Sequence, residues 1–217
     1  MKSSAVQQTA DFIKEKFGQE ASGHDWWHMY RVWQLAKRIA VDEKNVDMEV
    51  VELAALLHDI ADFKFHDGDF EAGPKAARAW LEKIEVEEPT IAHVEDIVRN
   101  ISFKGASVAP SLKTLEGKVV HDADKLDAMG AIGITRAFAY CGFSGIPIFL
   151  PDRAEALNMT QEEFVKGAIS GINHFHEKLL LLKDRMYTKT GKRLAQQRHR
   201  YMEKFLQEFE KEWASED

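Results

Sequence analysis

The sequence predicts an all-α protein built as a single-domain helical bundle. Apolar residues recur at three- and four-residue spacing in one segment after another, as on the buried face of a helix. No segment alternates apolar and polar residues over the length of a strand, and helix-capping residues precede several of the periodic segments. At 217 residues the chain fits one domain, 1–217, with its core at about 20–140 and further helices at about 152–217 packed on that core.

Two helices are predicted near the start of the chain. The first runs from about residue 5 to 17, and Gly18 follows directly after it. Ser22 and Asp25 are both candidate N-caps for the second helix. The second helix carries His28 on the same face as four apolar side chains, those of Val32, Leu35, Ala36 and Ile39. We therefore expect this histidine to face the core.

The third predicted helix follows Asp47, its candidate N-cap. Between Val50 and Leu57 it is apolar on nearly every side, which is typical of the central helix of a bundle. It leads into the sequence His58-Asp59-Ile60-Ala61-Asp62. The segment 63–69 is polar and aromatic and contains a glycine, so we expect a loop there over the mouth of a site.

Further helices are predicted at 71–84, 89–101, 115 to about 140, 160 to about 182 and 192–213. Gly130 and Gly133 are the expected places for a bend or a close helix contact in the long helix that starts at Leu115. The sequence Thr160-Gln161-Glu162-Glu163 is a capping box for the helix that follows it. The last helix carries four aromatic residues for which core packing is favoured over base stacking, Tyr201, Phe205, Phe209 and Trp213.

Charge and composition exclude several classes of protein. The formal charge of -7 argues against a general nucleic-acid binder, which needs clustered lysine and arginine, but leaves a small anionic substrate open. Cys141 is the only cysteine, so no intrachain disulfide can form, as suits a reducing compartment. The sequence contains neither an apolar run of membrane-spanning length nor an N-terminal signal-peptide pattern. We therefore expect a cytoplasmic protein that does not bind membranes.

Histidines and carboxylates lie on the apolar faces of three predicted helices, which needs a physical explanation. They are His28, then His58 and Asp59, then an aspartate between 122 and 127. A buried carboxylate without a partner is costly, and a divalent metal is the partner that two imidazoles and two carboxylates suit. The absence of a sulfur ligand argues against a structural zinc site. Four ligands leave positions on a six-coordinate ion for water and substrate, which indicates a catalytic site.

Several segments carry a resemblance to the HD superfamily of metal-dependent phosphohydrolases, which extends over nearly the whole chain. They are His24-Asp25-Trp26-Trp27-His28-Met29-Tyr30-Arg31-Val32, Leu56-Leu57-His58-Asp59-Ile60-Ala61-Asp62, residues 122–133, 175–180 and the Thr190-Gly191-Lys192 sequence. The residues in these segments resemble those of the bacterial YpgQ/YedJ-like branch of this superfamily. The resemblance implies an α-helical bundle of the HD-domain type that depends on manganese or magnesium. It further implies cleavage of a phosphoanhydride bond of a nucleotide, with a (deoxy)nucleoside triphosphate as the favoured substrate.

Carried over position by position, the resemblance implies that His28, His58, Asp59 and Asp124 are the metal ligands. Asp122 is the alternative to Asp124 as the fourth ligand, because it is the first residue of the same acidic cluster. One metal ion is predicted, with Mn²⁺ or Mg²⁺ favoured and Ni²⁺, Fe²⁺ or Zn²⁺ as alternatives. Such an ion lowers the pKa of a bound water, so that hydroxide is available near neutral pH to attack phosphorus in line.

Asp62 matches the family's acidic residue three positions after the His-Asp dyad and is predicted to be the catalytic acid or base. Lys125 is the favoured cation for the charge on the phosphoryl oxygens because it adjoins a ligand. The other candidate substrate-binding cations are Lys64, Lys104 and Arg136. Residues predicted to cap the helix or to orient a ligand from behind are His24, Asp25 and Asp127. Whether Trp26 or Trp27 stacks on a nucleobase is open.

Three alternatives remain at this stage. A phosphomonoesterase acting on nucleotide monophosphates and a phosphodiesterase would use the same ligands, although dinuclear phosphodiesterases need further histidines and only His66 and His93 are placed to serve. A non-catalytic nucleotide-sensing protein would be expected to lack a ligand or the acid, and all are present here. The expected partner is a small phosphorylated metabolite and not polymeric nucleic acid, and a homodimer is compatible with the sequence.

Overall fold

The structure, a computed structural model, describes residues 3–18, 25–61, 69–101, 112–151 and 170–216. Within these ranges it contains nine α-helices, one 3-10 helix and no strand, so the predicted all-α class is confirmed. The α-helices are α1 (Ala5–Phe17), α2 (Trp26–Ala40), α3 (Met48–Leu57), α4 (Ala72–Lys83), α5 (Glu88–Ile101), α6 (Leu115–Asp127), α7 (Gly130–Ser144), α8 (Gly171–Glu177) and α9 (Lys189–Ala214). The 3-10 helix spans Leu179–Arg185, between α8 and α9.

Local capping explains where the first three helices begin. The side chains of Ser4, Asp25 and Asp47 each accept a hydrogen bond from a backbone N–H in the first turn of the helix that follows. These bonds satisfy N–H groups that have no partner inside the helix. Of the two caps predicted for α2, the structure has Asp25, whereas Ser22 lies outside the described residues.

Two of the predicted helices have different bounds in the structure. The long helix expected from Leu115 to about Tyr140 is broken into α6 and α7, because Met129 is extended and Gly130 has a positive φ of 69°. The prediction of one continuous helix over 160–182 is wrong for residues 170–182, the part of this range that the structure describes. Ser170 is extended and caps α8, and α8 ends at Glu177 before the 3-10 helix. The predicted capping box at 160–163 lies outside the described residues.

The described residues form two compact units. The first unit takes in the described residues of Met1–Phe103 and Pro110–Asp124. Its centre is α3, whose side chains from Val50 to Leu57 are buried except for that of Glu52 and which packs on α1, α2 and α5. The central position predicted for this helix is confirmed.

Polar side chains join the helices of the first unit at their edges. The Trp33 indole N–H donates to Glu52 Oε2 over 2.7 Å and so joins α2 to α3. The Trp80 indole N–H donates to Thr9 Oγ1 over 2.9 Å and joins α4 to α1. At the start of α3 the backbone N–H of Asp47 donates to Glu116 Oε1 of α6 over 3.0 Å. The first and third of these bonds join helices that carry the polar cluster described below.

The second unit, within Lys125–Asp217, contains α7, α8, the 3-10 helix and α9. Its aromatic centre is formed by the rings of Phe138, Phe175 and Phe205, which contact one another. Phe209 contacts Phe205 and Trp213 along α9, and Phe205 and Phe209 fit the core packing favoured from the sequence. Tyr201 and Trp213 depart from that expectation, because they are 54% and 57% exposed.

The prediction of one domain, 1–217, stays a prediction. No helix in the described part of the chain combines the length and the apolar character needed to cross a membrane.

Candidate metal centre

Two histidines from separate helices meet in the first unit. His28 lies in the first turn of α2, and His58 directly follows the last residue of α3. Their Nε2 atoms are 3.1 Å apart, and each side chain is only 1% exposed. Both imidazoles thus present the same ring atom to one point in the interior.

Hydrogen bonds fix the backbone at His28 and the ring of His58. The Asp25 side chain accepts from the backbone N–H of His28 over 2.8 Å and so defines the start of α2 at this residue. His58 Nδ1 lies 2.8 Å from the carbonyl oxygen of Ala55. A carbonyl oxygen can only accept, so Nδ1 carries a proton, and Nε2 of a neutral ring then presents a lone pair. Metal-ligating histidines are commonly held in this way.

Two carboxylates complete the cluster. Asp59 Oδ2 is 3.4 Å from Nε2 of both histidines, and Asp124 Oδ1 is 3.8 Å from each of the same atoms. Ligand atoms of His28, His58 and Asp124 all lie within 4.8 Å of one another. Asp124, and not its competitor Asp122, therefore faces the histidines.

The cluster is closed on the imidazole side and more open on the carboxylate side. The side chains of Asp59 and Asp124 are 17% and 19% exposed, compared with 1% for the histidines. Solvent can therefore reach the carboxylate oxygens while the ring nitrogens stay buried. A catalytic site needs such an open side for water and substrate.

The carboxylates change the acid–base behaviour of the site. Burial alone lowers the pKa of His58, but the charge and hydrogen bond of Asp59, the charge of Asp124 and the Ala55 carbonyl outweigh it and raise this pKa to about 9. Without a metal, the cluster therefore holds a proton on His58 at neutral pH. A cation bound there competes with that proton.

The geometry and the donor types suit a divalent cation. Metal–ligand bonds of about 2.1 Å put neighbouring atoms of an octahedron about 3 Å apart and opposite atoms about 4.2 Å apart. The distances of 3.1, 3.4 and 3.8 Å within the cluster fall in this range. Two imidazole nitrogens and two carboxylate groups could hold such an ion, whereas its identity and the complete ligand set stay predictions.

Several other predicted site residues lie within the described chain. Lys125 follows Asp124 on α6, and its side chain is buried. Arg136 of α7 forms an ion pair of 3.2 Å with the buried carboxylate of Asp127. The structure thus gives Arg136 and Asp127 a contact with each other, while their predicted roles toward substrate and ligands stay predictions.

Four predicted residues lie outside the described residues, so the structure does not test them. They are His24, Asp62, Lys64 and Lys104, and the same holds for His66. His93, the other histidine considered for a second metal, has its Nε2 atom 2.9 Å from Thr114 Oγ1. Among the described residues, the one group that could hold a metal ion is that of His28, His58 and Asp124.

The aromatic residues beside His28 differ in their exposure. Trp26 is buried, whereas Trp27 is exposed, and both rings contact that of Tyr30. Of the two tryptophans considered for base stacking, Trp27 is therefore the one that solvent reaches. Its predicted contact with a base stays a prediction.

Sequence reasoning missed one buried polar pair. His121 Nδ1 is 3.2 Å from Asp122 Oδ1, and both side chains are almost completely buried. Residues two apart on a helix point in nearly opposite directions, so Asp122 and Asp124 cannot both face the histidines. The adjacent histidine and aspartate at 121–122 could have indicated this pair from the sequence.

Comparison with known proteins decides the family. The sequence profile of the HD domain matches residues 26–129, which include all four clustered side chains. YpgQ of Bacillus subtilis (strain 168) is 35% identical over 208 residues, covering 95% of this chain and 93% of YpgQ. The chain belongs to the HD superfamily. The resemblance stated from the sequence is thereby confirmed, and this HD protein is a metal-dependent phosphohydrolase.

Solved structures of similar proteins cover nearly the whole HD protein. One from Lactobacillus plantarum is 33% identical with a TM-score of 0.87 and covers 99% of both chains. An HD-superfamily hydrolase from Bacillus thuringiensis is 40% identical with a TM-score of 0.72 and covers 96% of both chains. Bacillus subtilis YpgQ in complex with ADP is 31% identical with a TM-score of 0.71, covering 95% of this chain and 97% of YpgQ.

Proposed function

We propose that this HD protein hydrolyses a phosphoanhydride bond of a small nucleotide, with a (deoxy)nucleoside triphosphate as the favoured substrate. The observation that carries the choice of a nucleotide is the complex of Bacillus subtilis YpgQ with ADP. That relative matches this chain over 95% of its length. ADP contains the type of bond that the proposed reaction breaks.

The charge of the cluster supports a phosphate-bearing substrate. Asp59 and Asp124 bring two negative charges to the imidazole pair, and a divalent cation balances them. When bound, such a cation supplies Lewis acidity that polarises a phosphoryl oxygen and lowers the pKa of a water. The chain's own contribution is to fix the start of α2 at His28 through Asp25 and to orient the His58 ring through the Ala55 carbonyl.

We assign the proton transfer to Asp62 and the charge stabilisation to Lys125. Asp62 follows His58 by four residues and would exchange a proton with the attacking water or the leaving oxygen. Lys125 follows Asp124 directly on α6, and a buried ammonium stabilises negative charge more strongly than one in water. Lys64, Lys104 and Arg136 remain the other proposed cations, and Mn²⁺ or Mg²⁺ the proposed metal.

The test is a substrate screen on the metal-stripped protein. It is reloaded separately with Mn²⁺, Mg²⁺, Ni²⁺ or Zn²⁺ and assayed against nucleoside tri-, di- and monophosphates, with pyrophosphate resolved from orthophosphate. Asp62→Asn is expected to keep the bound metal and to lose turnover by about a hundredfold or more, because it removes the acid or base. Asp11→Asn, which changes an exposed carboxylate on α1, serves as the matched control.

The proposal would be supported if the protein releases pyrophosphate from triphosphates in a metal-dependent reaction. Asp62→Asn should lose this activity and Asp11→Asn should keep it. Orthophosphate release from monophosphates would replace it with a phosphomonoesterase activity. Turnover of none of these substrates with any metal, while the metal still binds, would contradict it and favour the sensing alternative.

A further inference from the structure

A cavity lies within the second unit, between the 3-10 helix and α9. Its volume is about 510 Å³, a size common for small-molecule sites. None of its lining side chains belongs to the metal cluster. They are Lys183, Asp184, Met186, Lys192, Gln196, His199, Arg200 and Glu203.

Cationic side chains dominate the donors of this cavity. Lys192 and Arg200 stand two turns apart on one stripe of α9, with Gln196 between them. Their Cα atoms are about 12 Å apart along the helix at 1.5 Å per residue. Neither Lys192 nor Arg200 has an ion pair among the described residues, so their charges are available to a ligand.

A third cation is fixed from the opposite wall. Lys183 of the 3-10 helix has its Nζ atom 2.9 Å from Nε2 of His199. His199 is only 7% exposed, and its Nδ1 atom is buried with no hydrogen-bond partner among the described residues.

Two carboxylates also line the cavity. Asp184 is exposed, as are Lys192 and Arg200, and Glu203 Oε1 lies 3.2 Å from His199 Nε2, the atom that also faces Lys183. Three cations therefore face two carboxylates, with an amide and a buried imidazole beside them. Because the cations are spread along the stripe, an anion with several charged groups along its length matches them better than a single carboxylate does. Lysine and arginine both bind phosphate oxygens strongly, which favours phosphate as the charged group.

We propose that this cavity binds a short linear polyphosphate anion, held between Lys183 on one wall and Lys192 and Arg200 on the other. Lys183 is fixed by His199, and Gln196 donates from the middle of the stripe. The proposal does not depend on the reaction at the metal centre.

Binding is tested by titrating the full chain, as purified, with inorganic tripolyphosphate in a calorimeter. The double variant Lys192→Ala/Arg200→Ala removes the two cations that have no ion pair, and should weaken binding at this site by about tenfold or more. The matched control Arg193→Ala/Lys204→Ala removes the same charge from exposed positions of α9 outside the cavity. Metal content is measured for every variant, so that a change at the metal centre is recognised.

Weakened binding in the first double variant alone, at unchanged metal content, supports the site. Three results would overturn it: no binding to the wild-type chain, equal binding by the wild-type chain and Lys192→Ala/Arg200→Ala, or an equal loss in both double variants. The last result would mean that the anion responds only to overall charge.

Discussion

His28 and His58, thirty residues apart in the chain, bring their Nε2 atoms to within 3.1 Å of each other. The bond between His58 Nδ1 and the Ala55 carbonyl turns Nε2 toward His28, and the carboxylate of Asp59 contacts both rings. The pair therefore defines a point where a cation can meet two ring nitrogens and a negative charge.

His58→Ala is expected to abolish stoichiometric binding of a divalent metal, because it removes one of the two imidazoles and leaves the carboxylates without it. Metal content after dialysis measures the effect. The control His93→Ala changes a histidine of the same unit whose Nε2 contacts Thr114, and it should keep the metal. Full metal content in His58→Ala would contradict the assignment of this cluster.

A second prediction concerns Arg136, which contacts a carboxylate that is almost completely buried. Its Nη1 atom lies 3.2 Å from Asp127 Oδ2, and the Asp127 side chain is only 3% exposed. Arg136→Met should lower the free energy of unfolding by about 3 kcal/mol, because a buried charge then loses a partner. Urea denaturation measures this loss, with the exposed Arg193→Met as the control. An unchanged stability together with a raised KM would instead favour the predicted contact with substrate.

The helices that local signals define could be predicted from the sequence. Helical spacing of apolar residues and the caps at Asp25 and Asp47 act within a few residues, so α2 and α3 begin where expected. The sequence also indicated Gly130 as a place for a bend, and the structure breaks the long helix there, where Gly130 has a φ of 69°. The packing at this break was not visible in the sequence. A Cβ added at Gly130 would lie 3.0 Å from Cγ of Arg198, and the Arg198 guanidinium donates to the carbonyl of Leu126.

The candidate site could also be predicted in part from the sequence. The apolar surroundings of His28, His58 and Asp59 were visible in the sequence, and the structure brings these side chains together. The choice between Asp122 and Asp124 depends on how α6 is rotated about its axis. That rotation follows from packing, such as the bond between Glu116 and the backbone of Asp47, which the sequence does not reveal.

A third prediction concerns pH and the buried carboxyl of Glu177. Burial raises the pKa of Glu177 above its usual value of 4.5, and its Oε1 has no hydrogen-bond partner among the described residues. The folded protein thus holds this proton more tightly than the unfolded chain does. Stability from this group is present at pH values below 4.5 and is lost as the pH rises through the raised pKa of the folded state.

Glu177→Gln should therefore raise the Tm at about pH 8, because the amide carries no charge to bury, and should have little effect near pH 4. Thermal unfolding over this pH range measures the difference. Glu208→Gln, an exposed carboxylate on α9, should show no such pH-dependent gain. A Tm for Glu177→Gln below that of the wild-type chain at pH 8, with no change near pH 4, would mean that the ionised carboxylate is stabilised in the fold.

The last prediction compares one substitution at two positions of α7. Gly130 has a φ of 69°, and an added Cβ would lie 3.0 Å from Cγ of Arg198. Gly130→Ala should therefore cost about 1–2 kcal/mol from the backbone alone and more from the contact. Gly142 is exposed within the same helix, and an added Cβ there would meet nothing within 4 Å. Gly142→Ala should stabilise by about 0.5–1 kcal/mol, because alanine loses less backbone entropy in a helix.

Urea denaturation of the two variants measures both effects. The pair controls for side-chain chemistry, because each variant adds the same methyl group to α7. If both variants shift stability in the same direction, the left-handed conformation of Gly130 cannot be what separates α6 from α7. Opposite shifts would show that the break between the two helices depends on glycine at this position.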